Sequence, residues 1–186
     1  MWENTVLIIF LVLIFVPLLV MTLYTWYNKK QNYNIKTITK DLKKINILQM
    51  NEAIIEVAIS SINRVNGWNR LSAFYAGMYY CFNLWGFLFA VFSLICAVDT
   101  FFMSDSSSQM WTAISAAVTS ITMCVQLFLR TDRKWRTFAR KHYKARIITN
   151  NFLYGIRSTK CPIVLIKRYA NKIVELEMST RDDELL

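Results

Sequence analysis

The stretch WTAISAAVTSITMCVQLFLR, residues 111–130, decides the fold. With Met110 it forms an apolar block that holds no charge before Arg130. A helix needs about 20 such residues to cross a bilayer's hydrocarbon. Polar groups nevertheless recur along it at steps of three and four: Thr112, Ser115, Thr119, Thr122 and Gln126. These offsets make a heptad seam, the pattern of left-handed helix packing. Ala113, Ala116, Ala117 and Ser120 lie beside the seam and keep that surface slim. Two readings are open. The stripe is a packing surface of the kind small and hydroxyl residues provide between membrane helices, or it lines a polar, uncharged path for ions. A path without a ring of charge is expected to select poorly between ions.

Two further blocks, residues 5–27 and 74–98, match the first in length, and none of the three contains Lys, Arg, Asp, Glu or His. The chain has 186 residues, 55% of them hydrophobic, and the apolar ones are concentrated in these blocks. The first block is read as an uncleaved anchor. No basic residue precedes it, its apolar run is too long for a signal peptide, and no small-x-small site follows. Pro17 within it is expected to kink the helix, which neighbouring helices tolerate. In the second, Asn83 is the one strongly polar interior group, and the cost of an unpaired amide in hydrocarbon requires it to face protein.

Charge placement sets the orientation. Of 22 basic residues, eight lie in 29–70 and fourteen in 130–181, with none elsewhere. The connection at 99–109 carries only Asp99 and Asp105. The positive-inside bias places the N-terminus outside, 29–70 inside, 99–109 outside and the tail inside. The formal +10 then divides into −3 outside and +13 inside. Such a balance attracts an anionic inner leaflet. The bases flank spans and form no separate domain, so nucleic acid is not an expected partner. The chain reads as an all-α membrane protein, three transmembrane helices plus a cytoplasmic helical bundle. Its parts are an N-terminal anchor (1–28), an amphipathic linking helix (29–70), a two-span hairpin (71–130) and a helical tail (131–186).

The linking segment carries Ile38, Leu42 and Ile45 as one apolar stripe and Leu48, Ile55, Ile59 and Ile62 as a second. The spacing predicts an amphipathic helix broken near Asn46, lying on the leaflet or docked on the tail. Gly67 is read as the break before the second span, and Trp68 as an interfacial residue. The third span enters RTDRKWRTFARKHYKARIITNNFLYGI without a breaker, which predicts one helix from Met110 to Tyr154, stopped by Gly155. Trp135, Phe138, Ala145, Ile148 and Phe152 form its inward stripe. Pro162 starts a last helix with Ile163, Ile166, Ala170, Ile173 and Val174 as its apolar face. The terminal STRDDELL is expected to fray.

Catalytic sets are missing. His142, the single histidine, sits among Arg140, Lys141 and Lys144, has no partner at a motif spacing, and reads as a solvated or packing residue. No zinc spacing, C-x-x-C or phosphate loop occurs. No enzyme activity, cofactor or metal is expected. Cys81 and Cys124 fall about two turns from the inner face, where a hairpin would let them touch.

Residues 53–155 resemble the SLATT family of two-span membrane effectors. SINRVNGWNRLSAFY leads into the hairpin, ISAAVTSITMCVQLFL forms a Ser/Thr/Ala-rich second family span, and a basic, aromatic helix follows it. In that helix Trp135, Phe138 and Arg140 keep a W-x-x-[FY]-x-R spacing, among Arg130, Arg133, Lys134 and Arg136. The resemblance implies a pore-forming or membrane-disrupting oligomer, signalled by a separate nucleotide-producing or nucleotide-sensing protein in an antiviral conflict system. The additional N-terminal span and the lack of a sensor domain depart from the family pattern. The alternative expectation is a structural or accessory subunit of a larger membrane complex, with the stripe packed on a partner helix.

Overall fold

The computed structural model describes residues 2–45, 52–103, 106–158 and 162–179. These form six helices and no strand: α1 (Trp2–Lys29), α2 (Ile35–Ile45), α3 (Glu52–Met103), α4 (Ser106–Leu129), α5 (Thr131–Ser158) and α6 (Pro162–Ser179). Three segments, Asn4–Lys29, Glu52–Phe101 and Ser107–Leu129, are helical, long and apolar enough to cross a membrane. Contacts divide the chain into two compact units. One joins Met1–Trp26 to Phe74–Arg133, the other Tyr27–Ala73 to Lys134–Leu186.

In the spanning unit, α1, the second half of α3 and α4 meet at Phe10. Its ring lies 5.3 Å from Phe89, 6.4 Å from Phe92 and 5.4 Å from Trp111, centroid to centroid. Around it Val6, Phe92 and Cys96 are buried. The outer surface is apolar: Phe15 is 63% exposed, Leu94 66% and Phe128 87%. Water would penalise such a surface and hydrocarbon does not. Helix α1 runs unbroken through Pro17. Proline removes one backbone donor from the turn ahead of it. The carbonyl that loses its donor is that of Leu13, four residues back, and the Trp85 indole donates to the next carbonyl, that of Ile14, at 3.1 Å, so a neighbouring helix braces the same turn. Gly77 brings α3 against α1, since a Cβ there would lie 3.1 Å from Met21 Cγ.

The second unit is a bundle of α2, the first part of α3, α5 and α6. Its core holds Ile38 and Leu42 of α2, Ile55, Ala58, Ile62, Val65 and Trp68 of α3, Ala145, Phe152 and Ile156 of α5, and Ile166, Tyr169 and Ile173 of α6. Asn34 caps α2, its side-chain oxygen accepting from Thr37 N–H at 3.4 Å. Pro162 opens α6 where its missing N–H costs no bond. The apolar stripe of α2 therefore docks on the helices of the tail. Phe152 and Tyr169 stack at 4.3 Å, and Tyr169 Oη shares a 3.0 Å hydrogen bond with Thr149 Oγ1.

A seam of asparagines ties residues 28–34 to α3. Asn66 Oδ1 accepts from Tyr33 N–H at 2.9 Å, and Asn66 Nδ2 donates to Tyr33 O at 3.0 Å. Asn69 Nδ2 donates to the Asn28 carbonyl and to Asn32 Oδ1 at 3.1 and 2.8 Å. Tyr33 Oη donates to Asn150 Oδ1 at 2.7 Å, linking the seam to α5. The side chains of Asn66 and Asn69 complete a turn that has few backbone bonds of its own.

Several sequence expectations change. Gly67 is not a break: α3 runs through it, and a Cβ there would meet nothing within 4 Å. Trp68 is a core residue of the bundle. The helix expected from Met110 to Tyr154 is two helices, because Arg130 turns left-handed at φ 47. Gly155 does not stop α5, which continues to Ser158. Its lack of a side chain lets α6 approach, since a Cβ would lie 3.1 Å from Leu165 Cδ1. Val174 is exposed, and Tyr169 and Leu176 take the buried positions on α6. The break near Asn46 and the end at STRDDELL beyond Ser179 lie outside the described residues.

Candidate functional site

The stripe of α4 turns into the spanning unit. Ser115 is 0% and Thr122 7% exposed, and Thr112, Thr119 and Gln126 are half-buried. Every hydroxyl of the stripe donates to its own helix. Thr112 reaches Ser108 O at 2.8 Å, Ser115 reaches Trp111 O at 2.8 Å, Thr119 reaches Ser115 O at 2.9 Å and Thr122 reaches Val118 O at 2.7 Å. Such back-bonding satisfies a hydroxyl without a partner helix. The described cross-helix bonds of α4 lie toward its start. Ser93 Oγ donates to Thr112 O at 3.4 Å, and Ser108 Oγ donates to Asp99 Oδ2 at 2.6 Å. Gln126 has no hydrogen-bond partner among the described residues.

Asn83 does not face protein within the chain. It is exposed, its Nδ2 donates to the Tyr79 carbonyl of its own helix at 2.9 Å, and its Oδ1 has no partner among the described residues. The sequence argument, that an amide in hydrocarbon must be satisfied, is half met by the helix's own backbone. Ala113, Ala116, Ala117 and Ser120, expected beside the seam, do not share its burial: with Cys124 they are all exposed, on a slim face turned away from it. Cys81 is buried and Cys124 exposed, both as free thiols.

The basic and aromatic residues that follow α4 divide by side. Arg130, Arg133, Lys134, Arg136 and Arg140 are exposed, whereas Trp135 and Phe138 are half-buried, with Phe138 packed on the bundle core. The 3.6-residue period separates them, charge outward and ring inward. Between α4 and α5 lies a feature that sequence did not signal. Thr131 is fully buried, and its Oγ1 has no hydrogen-bond partner. A left-handed non-glycine residue and an unsatisfied hydroxyl are adjacent, each costing of order 1–3 kcal/mol.

His142 is half-buried, and burial, then the Arg146 cation, holds its pKa below the ordinary 6.5. Burial pushes the Tyr169 hydroxyl up to about 12. Among the described residues no group of three His, Cys, Asp or Glu is arranged to hold a metal.

The fold thus defines a class, a helical membrane protein with an uncharged polar seam and an attached helical bundle. No family model matches the chain, and no curated protein or solved structure matches it either.

Proposed function

We propose that the chain is an oligomeric membrane effector that forms or gates a pore, in a nucleotide-signalled antiviral or conflict system. Its N-terminus lies outside and its bundle and C-terminus lie in the cytoplasm, against an anionic inner leaflet. A separate sensor supplies the signal. The observation that carries the pore reading is the seam's bonding. Its hydroxyls are satisfied within α4, so parting α4 from its neighbours breaks few hydrogen bonds and leaves a stripe that water can wet. Gln126 is the polar point at the inner mouth. The exposed Asn83 amide, with an oxygen lacking a partner in hydrocarbon, supports association of copies, because interhelical amide bonds hold membrane helices together.

The second reading is an accessory subunit of a larger membrane complex, with the half-buried Thr112, Thr119 and Gln126 left for a partner helix; Ser115 and Thr122 are already buried within the single chain, as residues of a packing seam are. Expression in bacteria with a voltage-sensitive dye separates the two. Rapid depolarisation by the wild-type chain is expected, lost when Thr119, Thr122 and Gln126 become Leu while oligomer size is kept. An oligomer that dissolves on the same substitutions marks the stripe as a packing seam and supports the accessory subunit.

A further inference from the structure

The bundle contains a cavity of about 230 Å³ between α5 and α6, lined by Ile148, Asn151, Phe152, Leu165, Arg168, Tyr169 and Lys172. Its chemistry is divided. The apolar wall is Ile148, Leu165 and the stacked Phe152–Tyr169 pair. Tyr169 is fixed by its bond to Thr149, so this wall is rigid. The polar rim is Asn151, Arg168 and Lys172, all exposed.

Arg168 and Lys172 stand four residues apart on one helix, so their side chains are neighbours and their charges repel. Neither forms an ion pair among the described residues, although Glu175 and Glu177 belong to the same helix. Glu177 pairs instead with Arg64. Two unneutralised cations and an amide donor at the mouth of an apolar recess form a receptor for an anion joined to an apolar group. Arg and Lys together bind phosphate oxygens by charge-assisted hydrogen bonds. We infer that this cavity binds a phosphate-bearing ligand, the phosphate between Arg168 and Lys172 and an attached apolar group on the Ile148–Leu165 wall. The inference stands apart from the pore reading. A free nucleotide and an anionic lipid headgroup both carry this chemistry.

The test uses the full chain in neutral phosphatidylcholine nanodiscs, titrated calorimetrically with ATP. A parallel sample replaces part of the lipid with phosphatidic acid and follows hydrogen exchange over residues 148–172. Saturable ATP binding, weakened about tenfold by Arg168→Gln or Lys172→Gln, identifies a free phosphate ligand. Protection that appears only with phosphatidic acid, and is lost in the same variants, identifies a headgroup. These exposed positions carry no core packing, and unchanged unfolding midpoints of the variants verify this. Lys167→Gln, on the same helix but outside the cavity lining, is the charge control. No binding in either arm overturns the inference, as does an equal loss in Lys167→Gln.

Discussion

Replacing Asn66 with alanine tests how the bundle is tied together. Asn66 is 5% exposed and serves both backbone groups of Tyr33, accepting at 2.9 Å and donating at 3.0 Å. Tyr33 lies in the connection between α1 and α2, where no helical ladder supplies those bonds. Each hydrogen bond contributes about 0.5–1.5 kcal/mol net, and a half-buried backbone group left without a partner adds to the loss. The expected cost of Asn66→Ala is about 2 kcal/mol. That converts to a roughly 30-fold larger opening equilibrium for residues 28–45. Asn66→Asp retains the acceptor for Tyr33 N–H but sets a carboxylate oxygen against the Tyr33 carbonyl, so it should cost at least as much. Hydrogen exchange with mass spectrometry on the full chain in nanodiscs reads this opening directly. Protection of 28–45 in Asn66→Ala within twofold of wild type would refute the reasoning, and the seam would then be an ornament of the fold rather than a fastening.

Other perturbations follow from the same geometry. Arg130→Gly removes the left-handed penalty at φ 47 and should stabilise the chain by about 1 kcal/mol, read as a raised unfolding midpoint. Thr131→Val replaces a buried, unpartnered hydroxyl with a methyl of similar shape and should stabilise by about 1 kcal/mol in denaturant titration. Gly155→Ala gains helix propensity and loses clearance against Leu165, so it should be near neutral; Gly155→Val should destabilise by about 1–3 kcal/mol. His142 titrates lower when folded than its ordinary 6.5, so the unfolded chain binds the extra proton. Stability should therefore fall as pH drops through 6.5 toward the folded value, and His142→Gln should flatten that slope in melts from pH 7.5 to about pH 5. Tyr169 has the opposite sense. Its neutral form is favoured by folding, so stability should be lost between pH 10 and about 12, with one late tyrosinate in ultraviolet titration.

The spanning helices were legible because hydrocarbon imposes a compositional rule that needs no partner to read. The same holds for the docked faces of α2 and α5, where Ile38, Leu42, Ala145 and Phe152 keep a 3.6-residue period. The failures came where local propensity was overruled by packing. Gly67 weakens a helix alone, but tertiary contacts of Val65 and Trp68 on either side carry α3 through it. Gly155 resembles a stop, yet a glycine where two helices nearly touch is there for clearance. Arg130 gave no sign at all, since arginine is a good helix former and its left-handed turn is set by surroundings. Of the stripe, sequence gave its membership and spacing; it could not tell that Ser115 and Thr122 point inward. The Asn66–Tyr33 pair spans 33 residues without a motif, and the Arg168–Lys172 cavity exists only where α5 meets α6.

The indole of Trp85 and the turn ahead of Pro17 are separated by 71 residues of chain. At roughly 5–20 residues per second of synthesis, the first span is complete several seconds before Trp85 leaves the ribosome. During that interval the proline-weakened turn lacks the cross-helix bond that braces it in the finished fold. The first span is therefore a provisional membrane helix until the second arrives. Ribosome-stalled chains ending before and after Trp85 should differ in how firmly the N-terminal segment is held in the bilayer, which makes a contact in the finished fold a checkpoint in its biogenesis.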